Sequence, residues 1–157
     1  MGGSMIAGSC LSAREASAAM ALVTAATESE YYIMGFSNRF MQLNISPRMR
    51  LNDAINALSN LPFEATDCAL PIIWAAIHRV NVSAFVTYTD SETWAGNIHP
   101  AQALREYRRE CVADAKAVVV GMTSNGFTIA DPNDRYSLDV VGFDASVPAV
   151  IADFIRA

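Results

Sequence analysis

At 157 residues the chain has length for one domain with a sizeable core, and 52% of it is hydrophobic against 17% charged. That balance excludes a disordered chain, while no apolar run approaches the roughly 20 residues that a membrane-crossing helix needs. A net charge of −5 and a pI near 4.9 argue against general electrostatic binding to nucleic acid.

Residues 1–10, rich in Gly, Ser and Met, read as a loop or a frayed start. Ser12 and Glu15 stand at capping-box spacing and open a first helix that runs to about Thr27. Its body, Ala16-Ser17-Ala18-Ala19-Met20-Ala21-Leu22-Val23, is small or apolar nearly all round, which predicts a buried helix. Residues 31–36 are strong β-formers, and Phe40-Met41-Gln42-Leu43 reads as a short edge strand before the break at Ser46-Pro47. Leu51, Ala54, Ile55, Leu58 and Leu61 recur at helical spacing and predict a second helix over 51–60. A loop carrying Thr66-Asp67 then leads to a third, apolar helix from Leu70 to about Arg79.

Residues 84–89 form a β-rich run ending at Asp90, and Pro100 suits the first turn of a fourth helix reaching about Cys111. The continuous apolar run 117–122 predicts a parallel strand covered on both faces. Turn signals at 125–126 and 131–134 bracket a short apolar piece at 127–129. A last strand over 138–141 and a closing helix over 147–155 complete the chain. Strands alternating with helices predict one α/β domain over 1–157, its mostly parallel sheet carrying helices on both faces. No strand precedes the first helix, so the expectation is a domain incomplete at its N-terminus. Arg105, Arg108 and Arg109 are read as a solvated helix face. Cys10, Cys68 and Cys111 lack zinc spacing, which predicts reduced structural thiols in a cytoplasmic protein.

The chemistry concentrates in two loops. In an open α/β sheet, ligands bind beyond the carboxyl ends of the strands. Asp90, followed by Ser91-Glu92-Thr93, places a carboxylate and hydroxyls there, a donor set suited to a hard cation such as Mg2+. Thr66-Asp67 is a second hydroxyl–carboxylate pair, expected to converge on the same ion. A plainer reading stands beside each loop: Ser91-Glu92-Thr93 capping the next turn, and Thr66 capping the third helix. His78, inside an apolar helix, is expected to be structural. His99 falls near the cleft without a partner carboxylate at recognisable spacing, and Trp74 and Trp94 read as packing residues. Neither a phosphate-binding glycine loop nor a nucleophile elbow occurs, which counts against a nucleotide-binding or hydrolase reading. A metal without a nearby base or nucleophile suits binding better than turnover. The enzymatic alternative is a metal-assisted phosphoryl hydrolase using Asp90.

Four segments together resemble one family. They are Thr66-Asp67-Cys68-Ala69-Leu70-Pro71, Thr89-Asp90-Ser91-Glu92-Thr93-Trp94-Ala95-Gly96, His99-Pro100-Ala101-Gln102-Ala103-Leu104-Arg105-Glu106-Tyr107-Arg108, and the stretch from Gly121-Met122-Thr123-Ser124 to Asp131-Pro132. Over essentially the whole chain these are similar to the C-terminal von Willebrand factor A domain of the Ro autoantigen (TROVE) family. The resemblance implies a Rossmann-like fold with a metal-ion-dependent adhesion site. That site joins an Asp-x-Ser-x-Ser motif after the first strand to a threonine and an aspartate from two later loops. The later pair matches Thr66 and Asp90 as metal ligands, with Asp67 and Ser91 in support, and leaves a position for a carboxylate ligand from an acidic partner.

The Asp-x-Ser-x-Ser motif has no match here: Ser4 has no aspartate upstream. The first central strand is therefore expected to be missing, between the strands at 31–36 and 84–89. Exposed strand edges of that kind favour self-association. Mg2+ binding is expected to be weak or absent. The family's ring of helical repeats, which binds small non-coding and misfolded RNAs, is absent from the sequence, so RNA binding is not carried over. The implied function is a non-enzymatic, metal-dependent interaction module of a Ro-like ribonucleoprotein.

Overall fold

The computed structural model describes residues 5–6, 10–36, 40–60, 67–89, 96–122 and 129–157. In chain order the elements are α1 (Ala13–Thr27), β1 (Met34–Phe36), β2 (Phe40–Gln42), α2 (Leu51–Ser59), α3 (Leu70–Ile77), β3 (Ala84–Thr89), α4 (Pro100–Glu110), β4 (Lys116–Gly121), β5 (Ser137–Val141) and α5 (Val147–Arg156). β3, β4 and β5 form a parallel sheet in that order, with Thr89 opposite Gly121 at its carboxyl end. β1 and β2 form an antiparallel pair of their own. The strands expected to flank a central strand thus lie in different sheets, and β3 is an edge strand among the described residues.

Both faces of the parallel sheet are covered, as the alternation of elements predicts. On one face Val118, Val120 and Met122 pack against Ala13, Ala16 and Met20 of α1 and Val147 and Ile151 of α5. On the other, Phe85 packs with Ile72 and Ala75 of α3 and with Ala103, Leu104 and Tyr107 of α4. The small residues of α1 explain its position. Ala18, Ala21 and Ala25 let α2 and the Ile45 segment approach closely on the helix's other side.

Local signals account for most element boundaries. Ser12 Oγ accepts from the Glu15 amide at 3.2 Å and a Glu15 carboxylate oxygen accepts from the Ser12 amide at 2.8 Å, so the capping box is complete. These bonds hold the Glu15 carboxyl below its usual range. The expected frayed start needs correction at Ile6, which is 2% exposed and packs into the α1–β4–α5 core. Its amide donates to the Leu11 carbonyl at 3.1 Å, which ties Ile6 to the entry of α1. The strand expected over 31–36 narrows to Met34–Phe36, although the Leu43 amide still bonds the Ile33 carbonyl at 2.8 Å.

α3 ends sooner than its apolar pattern predicts. The Val80 amide bonds the Ala75 carbonyl at 2.9 Å and the Arg79 amide bonds the Ala76 carbonyl at 3.2 Å, the paired bonds of a Schellman cap. Arg79 occupies the left-handed position of that cap with φ 52°, where glycine is normally found. Arg79→Gly is therefore expected to raise stability by about 0.5 kcal/mol, relief of the strained φ outweighing the added freedom of the unfolded chain. Urea denaturation measures this directly. His78 is not inside the helix but at its exposed end, with its ring stacked on Trp74 at 4.6 Å.

The arginine cluster divides. Arg105 and Arg109 point outward, as a solvated face requires, and pair with Asp131 and Glu110. Arg108 turns inward: its guanidinium bonds the Ala115 carbonyl at 2.7 Å and Asp134 at 2.7 Å. Positions 104, 107 and 108 share one helical face, so α4 buries Arg108 beside Leu104 and Tyr107. Among the described residues no helix is long and apolar enough to cross a membrane.

Candidate metal centre

Two described segments border the loops that carry Thr66 and Asp90: the exit of β3 at Thr89 and the entry to α3 at Asp67. β3 alternates, sending Phe85, Thr87 and Thr89 inward toward the α3–α4 layer, and Thr89 ends the strand at 2% exposure. The Thr89 carbonyl accepts from the Met122 amide at 2.8 Å, which ties the exits of β3 and β4 together. The chain is described again at Gly96, on the way to α4. His99 then caps α4, its Nδ1 accepting from the Ala101 amide at 3.2 Å.

The second loop enters at Asp67. One carboxylate oxygen accepts from the Ala69 amide at 3.0 Å, and the Asp67 carbonyl accepts from the Leu70 amide at 3.3 Å. Both bonds start α3. The following residue, Cys68, is 3% exposed and packs against Val119 of β4 and Ile129. Burial, and then the neighbouring Asp67 charge, push its thiol up to about 12. A protonated, covered thiol is neither a metal ligand nor a nucleophile at neutral pH.

The two loops touch. A Cβ built on Gly96 would lie 2.5 Å from Asp67 Oδ2 and 2.6 Å from its Cγ, and Gly96 has φ +138°. The backbone after β3 therefore approaches the Asp67 carboxylate as closely as only glycine permits. Gly96 closes the motif that begins at Thr89, but the sequence assigns it no role. Its partner lies 29 positions away, and no local pattern announces such a contact.

Of the residues assigned to the site, Asp67 is described; Thr66, Asp90 and Ser91 lie outside the described residues, as does Trp94. The helix starts still bear on the plainer readings. The N-cap position of α3 is Ala69, which makes no side-chain cap bond, and that of α4 is His99, while the capping readings of Thr66 and of Ser91-Glu92-Thr93 fall outside the described residues. Among the described residues no three His, Cys, Asp or Glu side chains gather closely enough to hold a metal. A cavity of about 20 Å³ between the sheet and the α3–α4 layer, bordered by Cys68, Thr87 and Ser137, has room for about one water and none for an organic substrate.

A profile of the Ro60 vWA domain matches residues 1–155. The chain belongs to the Ro60 vWA domain family. It is 48% identical over 141 residues to the RNA-binding protein RO60 of Deinococcus radiodurans, covering 90% of this chain and 27% of that protein. To the RNA-binding protein RO60 of Caenorhabditis elegans it is 36% identical over 153 residues, covering 97% of this chain and 24% of the relative. The crystal structure of the Deinococcus radiodurans RO (RSR) protein superposes with a TM-score of 0.88 at 46% identity, over 96% of this chain and 31% of that one. The fold is therefore a von Willebrand factor A fold, and the resemblance read from the four segments is borne out. The chain spans about a quarter of the length of the curated relatives it matches.

Proposed function

We propose that this Ro60 vWA domain is a non-enzymatic interaction module of a Ro-like RNA-binding ribonucleoprotein, and that a divalent cation held between its two carboxyl-end loops serves as its docking point. The observation that carries this reading is the contact between Asp67 and Gly96, which joins the Thr66-Asp67 loop to the loop that follows Asp90. The donor chemistry suits the ion: carboxylates and hydroxyls on both loops, with the nearby thiol of Cys68 buried and pushed up to about 12. Such a set favours Mg2+ over zinc. Thr66 and Asp90 would hold the ion directly or through water, with Asp67 and Ser91 fixing their loops. When bound, the ion supplies an electrophilic site for a carboxylate from an acidic partner protein.

RNA contact is assigned to other parts of a Ro-like protein, since this domain carries a net charge of −5. The names of the two relatives describe RNA binding, not catalysis. The shielded thiol fits a reducing, cytoplasmic setting. β3, a six-residue edge strand among the described residues, favours self-association, which sedimentation velocity over a concentration series would register as a rising sedimentation coefficient.

Two loops supply only part of the six oxygen donors a hard dication prefers, so water fills the remainder and affinity is expected to be weak. Mn2+ titration followed by electron paramagnetic resonance should give a dissociation constant in the submillimolar-to-millimolar range. Asp90→Ala should abolish binding and leave the thermal midpoint nearly unchanged. Equal Mn2+ affinity in the wild type and Asp90→Ala would refute the site. Phosphoesterase activity lost in the same variant would favour the hydrolase reading instead.

A further inference from the structure

We propose that the Gly96 backbone and the Asp67 carboxylate form a latch that fixes the two carboxyl-end loops against each other and keeps Cys68 covered. Three observations converge on it. The Asp67 carboxylate is held at one oxygen by the Ala69 amide, so its position is set by the start of α3. The space beside that carboxylate is filled by the Gly96 backbone, at a distance and a φ of +138° that exclude a side chain. Immediately next to Asp67, Cys68 is 3% exposed in a pocket of Val119 and Ile129, and so reports any outward movement of the loop.

The latch makes Gly96 a positioning residue. A methyl group at 96 collides with the carboxylate and must push the Asp67 loop, the Gly96 loop or both away from the sheet. Asp67 has two separable roles, a charge and a volume, and the latch uses the volume together with the bond to Ala69. The consequence for the cation rests on the function proposed above: loops pushed apart no longer present Thr66 and Asp90 to one ion. The consequence for Cys68 needs no metal at all.

The test is alkylation of Cys68 by N-ethylmaleimide in the folded chain, read by mass spectrometry on a Cys10→Ser, Cys111→Ser background. Gly96→Ala is expected to raise the Cys68 rate by about tenfold through local opening. In an Asp67→Ala background, where the colliding carboxylate is gone, the same change at 96 should add less than about twofold. Backbone strain at 96 acting alone would give the same factor in both backgrounds, and that result overturns the latch. So does a Gly96→Ala chain whose Cys68 stays as protected as in the wild type.

Should Gly96→Ala fail to fold, Asp67→Asn and Asp67→Ala decide the matter. The first keeps the volume and the acceptor and should leave Cys68 covered, whereas the second should expose it. Equal protection in both contradicts the proposal. A wild-type chain that ignores Mn2+ yet shows the predicted thiol pattern supports the latch and removes the cation reading alone. Loss of Mn2+ affinity in Gly96→Ala extends the latch to the metal centre.

Discussion

Arg108→Met is expected to destabilise the fold by about 3 kcal/mol, lowering the thermal midpoint by roughly 6–12 °C for a domain of this size. The side chain is 14% exposed and its partner Asp134 19% exposed, so the pair is largely removed from water. Arg108 Nε donates to the Ala115 carbonyl at 2.7 Å and Nη1 to Asp134 at 2.7 Å, while the Tyr136 ring lies 5.5 Å from the guanidinium carbon. Methionine fills most of the volume but removes the donor to the Ala115 carbonyl and the counter-charge of the Asp134 carboxylate. The loss crosses elements, because Asp134 also accepts from Ser137 Oγ at 2.6 Å and from the Tyr136 amide at 3.1 Å, which starts β5.

This contribution depends on pH in a fixed direction. Burial pushes the Asp134 carboxyl up, but the bonds from Ser137, Arg108 and Tyr136 outweigh it and hold the group below the ordinary carboxylate range. A lowered folded-state value gives stabilisation that is present above the unfolded value, near 3.9, and lost as pH falls through the folded one. The gap between wild type and Arg108→Met should therefore be widest near neutrality and shrink below about pH 4. A gap that is constant between pH 7 and pH 3 in chemical denaturation would contradict the ion pair.

Tyr107→Phe removes one oxygen and is expected to cost about 2–3 kcal/mol. Tyr107 is 0% exposed, and its hydroxyl donates to the Val80 carbonyl at 2.7 Å and accepts from the Val82 amide at 2.7 Å. It thus satisfies two backbone groups in the turn that carries the chain from α3 into β3. Phenylalanine preserves the edge-to-face contact with Phe85, at 5.1 Å, so the apolar packing stays and the cost isolates the hydroxyl. Hydrogen exchange gives a second readout. The Val82 amide should lose protection in Tyr107→Phe more than amides in β4 do. Uniform loss across the sheet would mean the hydroxyl acts through global stability alone.

How far the sequence carries the fold is clearest in α1 and α4. The capping pair Ser12 and Glu15, the alanine-rich body of α1 and Pro100 at the start of α4 are local signals, and each element begins where they place it. The parallel pairing of 84–89 with the apolar run at 117–122 follows equally from burial on both faces. The features that escaped are those whose partners are remote in sequence. Ile6 is buried only because α1, β4 and α5 surround it. Arg108 turns inward on the face of Leu104 and Tyr107 and meets Asp134 26 positions on, whereas Arg105 and Arg109 face solvent.

The candidate site divides along the same line. Carboxylates and hydroxyls at loop positions are visible as residue types, and the chain's membership of the Ro60 vWA domain family is shown over residues 1–155. The closeness of Asp67 to Gly96 is visible only in three dimensions. That contact brings together one described residue from each loop, and it supports the proposal of a shared ion.

The most direct test is paramagnetic broadening of backbone amide signals during Mn2+ titration of the isotope-labelled chain. Amides of both loops, at 66–70 and 90–96, should broaden together at low Mn2+, while those of α2 and α5 remain sharp. Broadening confined to one loop, or centred away from the carboxyl end of the parallel sheet, would contradict the shared ion.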